Sequence, residues 1–358
     1  MRDELLVVGA SFAGCAAAIA AAGRGARVTL IDRKADAGEK LHTTGILVRE
    51  AVEQHALLSR IPQPLVRRID TVRLYAPNLR ALVLRSPGYY FLATDTPELM
   101  RWLLREAQRC GVEVRLGTAF TQLAPAADAL EVAGVGRYAY VIGADGPQSR
   151  EARSAGLGRN RCFLYGVEHE LEGVRLPDAN ALHCFLTRRH APGYIGWALQ
   201  GVQAVQFGAA ARHAPGAAPQ LAALAAHLRP VLDLDGAQRL SVRAGLIPCG
   251  GPVAPLAGER VLLVGDAAGL VSPLTAGGIH TAWRHAWEAG EAVADFLHGR
   301  AADPRASAAL ARYPRFRRKR LLRWLFDHLQ SDALFDALIG TAVLRRAAER
   351  LYFHRATR

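Results

Sequence analysis

Lysine is nearly missing from this sequence: it stands only at positions 34, 40 and 319, although Lys and Arg together number 45. The basic character therefore belongs to arginine. Cysteine is sparse too, with five residues (Cys15, Cys110, Cys162, Cys184, Cys249) in no paired or Cys-x-x-Cys spacing. That pattern gives no reason to expect disulfides or a zinc site, so no metal is expected and a reducing cytoplasm is the default. No unbroken run of eighteen apolar residues occurs outside the first helix region, which argues against a membrane span. Repeats and low-complexity tracts are absent, which excludes solenoids and disordered arrays. Residues 5–22, LLVVGASFAGCAAAIAAA, imitate a secretory leader, and Phe12-Ala13-Gly14-Cys15 imitates a lipoprotein box. The start Met1-Arg2-Asp3-Glu4 lacks a positive character, and Gly9, Ser11 and Gly14 interrupt the run at a meaningful spacing, so export is not expected.

What is present is a chain of 358 residues, 51% apolar, long enough for two domains around sheet cores. Its formal charge of +13 is uneven. From Arg312 onward twelve basic residues stand against four acidic ones, so any electrostatic argument concerns the C-terminal part. No nucleic-acid-binding fold accompanies that charge, and nucleic acid is not expected as a partner.

Three motifs carry chemistry. Leu5–Val8 reads as a buried strand, followed by the turn Gly9-Ala10-Ser11-Phe12-Ala13-Gly14, an alanine-rich helix, and a second strand, Arg27–Ile31, closing on Asp32. Small residues at 9, 11 and 14 let backbone N–H groups approach a pyrophosphate at a helix N-terminus, and Asp32 can accept a ribose hydroxyl. Ser11 replaces the usual middle glycine, and Arg33 leaves the choice between a free ribose and a 2′-phosphate open. The second motif is Val141-Ile142-Gly143-Ala144-Asp145-Gly146, a strand ending in an acid and a tight turn. The third runs from the strand Arg260–Gly265 through Asp266 and Pro273-Leu274-Thr275-Ala276-Gly277-Gly278 into a long helix, Ile279–Leu297.

In this order and spacing the motifs resemble the flavoprotein superfamily of aromatic hydroxylases and geranylgeranyl reductases, over at least residues 1–300. The stretch GDAAGLVSPLTAGGI is similar to the reductase branch. The resemblance implies an α/β fold: a Rossmann-like FAD-binding domain (1–65, 96–160, 250–300), an inserted antiparallel-sheet substrate domain (66–95, 161–249) and a helical C-terminal tail (301–358). It implies FAD as cofactor, with Gly9, Ser11 and Gly14 at the pyrophosphate, Asp32 at the adenosine ribose and Asp145-Gly146 as the middle motif. Gly265-Asp266 would meet the ribityl chain, and Pro273, Gly277, Gly278 and Ile279 would lie along the isoalloxazine. The dipole of the last helix would favour negative charge on a reduced flavin there. Pro192-Gly193-Tyr194-Ile195-Gly196-Trp197 resembles the aromatic strand of the reductases, although two aromatics packing a sheet is an equal reading. Lys40-Leu41-His42-Thr43-Thr44-Gly45 falls where many reductases have Lys-x-Cys-Gly-x-Gly, so His42 replaces a cysteine. Thr96 stands where hydroxylases offer an arginine, and the arginine customary after Asp145-Gly146 comes late, at Arg153.

The leading expectation is an FAD-dependent oxidoreductase reducing carbon–carbon double bonds of an isoprenoid or other hydrophobic small molecule. His42, Tyr194 and Trp197 are its candidate wall or proton-relay residues. The electrons would come from an external donor, NAD(P)H or an electron-carrier protein, and with no second nucleotide fingerprint the sequence does not say which. An aromatic monooxygenase and a non-catalytic, membrane-associated FAD-binding protein remain as alternatives. The tail mixes Leu321, Leu322, Trp324, Leu325, Phe326 and Leu329 with arginines. It reads either as a peripheral attachment to an anionic membrane surface or as a helix packing on the protein with a solvated arginine face.

Overall fold

The computed structural model describes residues 3–306, 310 and 312–353, and the chain forms two compact units. The first gathers the segments through Lys40, Pro97–Cys162 and Pro248–Arg320. At its centre runs the strand Asp3–Val8, with Leu5, Leu6 and Val7 wholly buried, as expected of a parallel strand covered on both faces. It lies parallel between Val28–Asp32 and Gly136–Gly143. Glu113–Leu116 continues the sheet parallel on one side and Val261–Leu263 on the other. Short antiparallel strands, Leu123–Ala126, Ala129–Val132 and Ala257–Gly258, complete it.

The register positions the site. Val8 pairs with both Ile31 and Gly143, and Gly143 pairs with Leu263. Four parallel strands therefore end level, and Gly9, Asp32, Ala144-Asp145 and Val264-Gly265-Asp266 all leave the sheet at its carboxyl edge. In open parallel sheets this edge is where ligands bind. Two helices pack against each other beside it, Phe12–Gly23 and Ile279–Leu297. The first is buried from Phe12 to Ala21 and rich in alanine, and its small side chains permit close backbone approach. At the crossing a Cβ on Gly290 would overlap the Ala17 carbonyl oxygen.

The second unit comprises Leu41–Thr96, Phe163–Ile247 and Leu321–Arg358. Its main sheet runs Gln238–Pro248, Phe163–Glu172, Val205–Arg212, Ile195–Gln200, Ala181–Leu186, Thr71–Tyr75 and Ala81–Arg85. One pair departs from the antiparallel arrangement expected: Ala181–Leu186 lies parallel to Thr71–Tyr75. Those strands come from different segments of the chain, so no hairpin dictates their relative direction. A three-stranded sheet joins Ile46–Val48 and Val66–Ile69 antiparallel to Phe91–Thr94. That pairing draws residues 41–65 into this unit, whereas the sequence reading groups them with the nucleotide segments.

The described tail is helical: Arg317–Leu329, Asp332–Leu338 and Ala342–Tyr352. Ser331 and Thr341 cap the last two helices through their side-chain oxygens. Phe335, Ile339, Ala348 and Phe353 enter the core formed with Ile69, Val72, Leu84 and Phe91. Among the described residues no helix is long and apolar enough to cross a membrane.

The helix crossing yields a stability prediction. Gly290→Leu places a side chain against the Ala17 backbone, which cannot retreat without moving the first helix. A loss on the order of 1–3 kcal/mol is expected, read as a lowered urea midpoint. An unchanged midpoint would show that the crossing has slack.

Candidate functional site

At the carboxyl edge of the first unit the chain turns at Gly9, with φ of +105°. A Cβ there would overlap the Ala144 carbonyl oxygen, and one at Gly14 would overlap the carbonyl oxygen of Gly9. Both glycines are thus demanded by the turn itself, before any ligand is considered. Ser11 is exposed at the helix N-cap without a side-chain bond to the helix, and the first turn carries no acid. The N–H groups of that turn therefore have no side-chain acceptor, and the positive end of the helix dipole faces outward. Asp32 is buried and accepts from Ala10 N–H at 2.8 Å and Lys34 N–H at 2.9 Å. It ties the glycine turn to the strand end while keeping lone pairs to spare. Arg33 and Lys40 are exposed.

Asp145 accepts from the Arg150 N–H at 2.5 Å, and Gly146 has φ of +92°. Behind it Glu151 is wholly buried. Burial first, then the neighbouring Asp145, pushes its carboxyl up to about 10, so it is protonated at neutral pH. Asn160 joins the second motif to the third, donating to Pro147 O at 3.0 Å and to Asp266 O at 2.8 Å. Gly265 adopts φ of +58° against Ala13. Asp266 is half-buried, and desolvation pushes its carboxyl up to about 6. The following loop is closed by Ser272 N–H to Gly277 O and Ala276 N–H to Ser272 O, both 3.0 Å, with Pro273 buried inside it. Gly278 is the N-cap of Ile279–Leu297, again without a side-chain cap or an acid in the first turn.

In the second unit the loop at 42–45 meets the sheet through a buried carboxylate. Glu168 accepts from Thr44 Oγ1 at 2.6 Å and from Trp197 Nε1 at 2.7 Å. Arg243 reaches the other Glu168 oxygen at 3.4 Å, the Thr43 carbonyl at 3.3 Å, and Glu170. Desolvation still holds the Glu168 carboxyl above its usual range, against these partners. His42 bonds through Nδ1 to Ala244 O at 2.6 Å, so Nδ1 carries the proton. It lies against Gly245, where a Cβ would come within 2.8 Å of it. Trp197 thus belongs to the network around Glu168, and His42, bonded to Ala244, stands beside it in sequence next to Thr43. Tyr194 is buried in a different setting, its carbonyl accepting from Gln330 Nε2 at 3.3 Å. Thr96 is wholly buried and bonded to Thr94 Oγ1 at 3.0 Å and Thr44 O at 3.4 Å. Glu168, Arg243 and Asn160 escaped the sequence reading. Glu168 had a signal: Leu164, Gly166 and Glu168 occupy successive inward positions of one strand, where an acid is out of place.

The model of the FAD binding domain family matches residues 2–323. Digeranylgeranylglycerophospholipid reductase 2 of Methanopyrus kandleri is 32% identical over 338 residues, 87% of this chain and 81% of that one. The chain belongs to the FAD-binding, geranylgeranyl reductase-like flavoproteins. By fold, this flavoprotein is similar to a geranylgeranyl bacteriochlorophyll reductase-like protein of Thermoplasma acidophilum, with TM-score 0.82, 18% identity, and 98% and 96% of the two chains covered. It is also similar to the myxobacterial chondrochloren halogenase, with TM-score 0.73, 18% identity, and 98% and 89% covered.

The residues present fit FAD. The turn leaves no room for a side chain at Gly9 or Gly14, and two helix starts in one unit lack a capping side chain or an acid in the first turn. Asp266 provides a test that does not depend on activity. Its folded pKa of about 6 lies above the ordinary aspartate value. Its contribution to stability is therefore fully present below about pH 4 and lost as pH rises through 6. In the flavin-free protein Asp266→Asn should match wild type at pH 4 and exceed it at pH 8, by at most about 3 kcal/mol. Urea titrations at the two pH values check this, and parallel curves would overturn it. Removing Glu168 acts in the opposite direction: Glu168→Ala leaves a buried guanidinium with one carboxylate fewer. A loss of about 3–5 kcal/mol is expected, with Glu168→Gln losing less because it keeps an acceptor for Thr44 and Trp197.

Proposed function

We propose that this flavoprotein hydrogenates carbon–carbon double bonds in an isoprenoid chain of a hydrophobic small molecule. The reading rests chiefly on its similarity to the Methanopyrus reductase along most of both chains. Bound FAD supplies two-electron hydride chemistry. In this reading the free N–H groups at Ser11–Gly14 take the pyrophosphate, and Asp32 takes an adenosine ribose hydroxyl with its remaining lone pairs. Arg33 and Lys40 flank that end as exposed cations. Asp145-Gly146 and Gly265-Asp266 border the ribityl chain, whose hydroxyls would replace solvent at the desolvated Asp266 carboxylate. Pro273, Gly277, Gly278 and Ile279 lie along the ring, where the uncapped helix start favours negative charge.

A saturated product also needs a proton for every hydride. His42 is the relay in this reading: with Nδ1–H given to the Ala244 carbonyl, Nε2 is the atom that takes up and passes a proton. Trp197, fixed by Glu168, and Tyr194 form walls. In this reading electrons come from NAD(P)H or an electron-carrier protein, in the cytoplasm or at the inner face of the membrane. The monooxygenase alternative is disfavoured by Thr96, a neutral and fully bonded side chain where the hydroxylase pattern has an arginine.

The test is anaerobic. Holoprotein reduced with dithionite, which bypasses the natural donor, should be reoxidised by a geranylgeranyl lipid, with product gaining two hydrogens per double bond. His42→Ala should slow that step roughly 100-fold while leaving FAD content intact. A product formed only with oxygen and carrying a new hydroxyl would establish the monooxygenase instead. Failure of the bound flavin to accept electrons from any donor would leave a binding protein.

A further inference from the structure

The tail helix Arg317–Leu329 is built inside out. Residues on a helix advance by about 100°, which places Leu321, Leu322, Trp324, Leu325, His328 and Leu329 on one broad arc. Arg323 and Asp327 lie on the opposite side. The ordinary arrangement would turn the apolar arc to the core and the charges to water. Here Leu321 is 60% exposed, Leu322 49%, Trp324 56% and Leu329 61%. Arg323 is buried instead and paired with Asp327 at 2.9 Å, an aspartate that also takes Arg212 at 3.1 Å.

That buried pairing decides the orientation. Asp327 is the one acid between Arg312 and Leu329, and its charge is consumed by Arg323 and Arg212. The outward surface of the helix therefore carries four large apolar side chains and no acid. Arg317 and Arg318 fall at the N-terminal end of the same arc, both exposed, and Arg315 is exposed just before it. Lys319 is set apart: it is half-buried over the Phe316 ring, and desolvation lowers its pKa. This helix packs on the protein through Phe326 and exposes its apolar arc together with its arginines.

We infer that the exposed face of Arg317–Leu329 docks the protein on an anionic lipid surface, with Trp324 and the leucines in the interfacial layer and Arg315, Arg317 and Arg318 on the lipid phosphates. The helix lies flat, because thirteen residues extend only about 20 Å and an arc of this kind suits the interface rather than a span. Charge complementarity selects the occupant. A neutral apolar partner would satisfy the leucines and leave three guanidinium groups unanswered, whereas phosphatidylglycerol answers both. The inference stands on the helix alone and not on the substrate reading, since it concerns binding without turnover.

The experiment uses the FAD-loaded protein and extruded vesicles, either phosphatidylglycerol with phosphatidylcholine or phosphatidylcholine alone, in a sedimentation assay. Binding to the acidic vesicles should weaken with salt and exceed binding to neutral ones. The triple variant Arg315→Gln, Arg317→Gln, Arg318→Gln should lose affinity on the order of 100-fold. The double variant Trp324→Ser, Leu329→Ser should lose it as well, with flavin absorbance and thermal midpoint unchanged in both. Loss only in the arginine variant would mean plain electrostatic adsorption and would overturn docking by this face. Light scattering covers the remaining occupant: a dimer that the serine variant converts to monomer would assign the face to a second copy of the chain. Absence of binding to acidic vesicles at low salt would sink the inference outright, and retained double-bond reduction in that case would leave the proposed function standing.

Discussion

Backbone touching backbone is the constraint on which the first unit depends. Gly14 lies against the Gly9 carbonyl, Gly9 against Ala144, and Gly290 against the Ala17 carbonyl. These contacts hold the first strand, the first helix, the second motif and the last helix at distances that no side chain permits. Hydrogen bonds then lock the arrangement. Asp32 fastens the glycine turn to the neighbouring strand, and Asn160 fastens Pro147 to Asp266. Interiors packed this tightly have little room to relax, so the geometry of the glycine turn is set by the fold itself.

The second unit is organised by a different force. Beside its apolar cores, Glu168, Arg243 and Glu170 form a charged row on one side of the main sheet that reaches Thr43, Thr44 and Trp197. Buried ions contribute little net stability when compared with apolar packing, but losing one member is costly. Such a row therefore specifies where a loop sits more than it strengthens the domain. The loop it specifies carries His42, whose Nδ1–H is held by the Ala244 carbonyl.

Legibility from sequence followed the same division. The strand from Leu5, the helix Ile279–Leu297 and the three nucleotide motifs were readable because glycine spacing and apolar runs report backbone needs directly. The strand Gln238–Pro248 was not, because its residues are mostly half-exposed or exposed and show no clean alternation. Asn160 left no trace for another reason: its partners are main-chain carbonyls, which any residue supplies. The tail misled because the apolar arc was visible and its direction was not. A helical pattern says which residues share a face, and only the Arg323–Asp327 pair says which way that face looks.

The order of the strands along the chain has a consequence for biosynthesis. The central strand Asp3–Val8 is made first, its neighbour Gly136–Gly143 much later, and Val261–Leu263 with the helix carrying Gly290 later still. Between them the ribosome delivers most of a separate sheet. A nascent chain that has emerged only as far as Gly251 has its glycine turn against Ala144 but no third loop and no last helix beside it. The alanine-rich first helix, already lying on the early strands, therefore gains the partner that covers Ala17 only once the helix carrying Gly290 has been made.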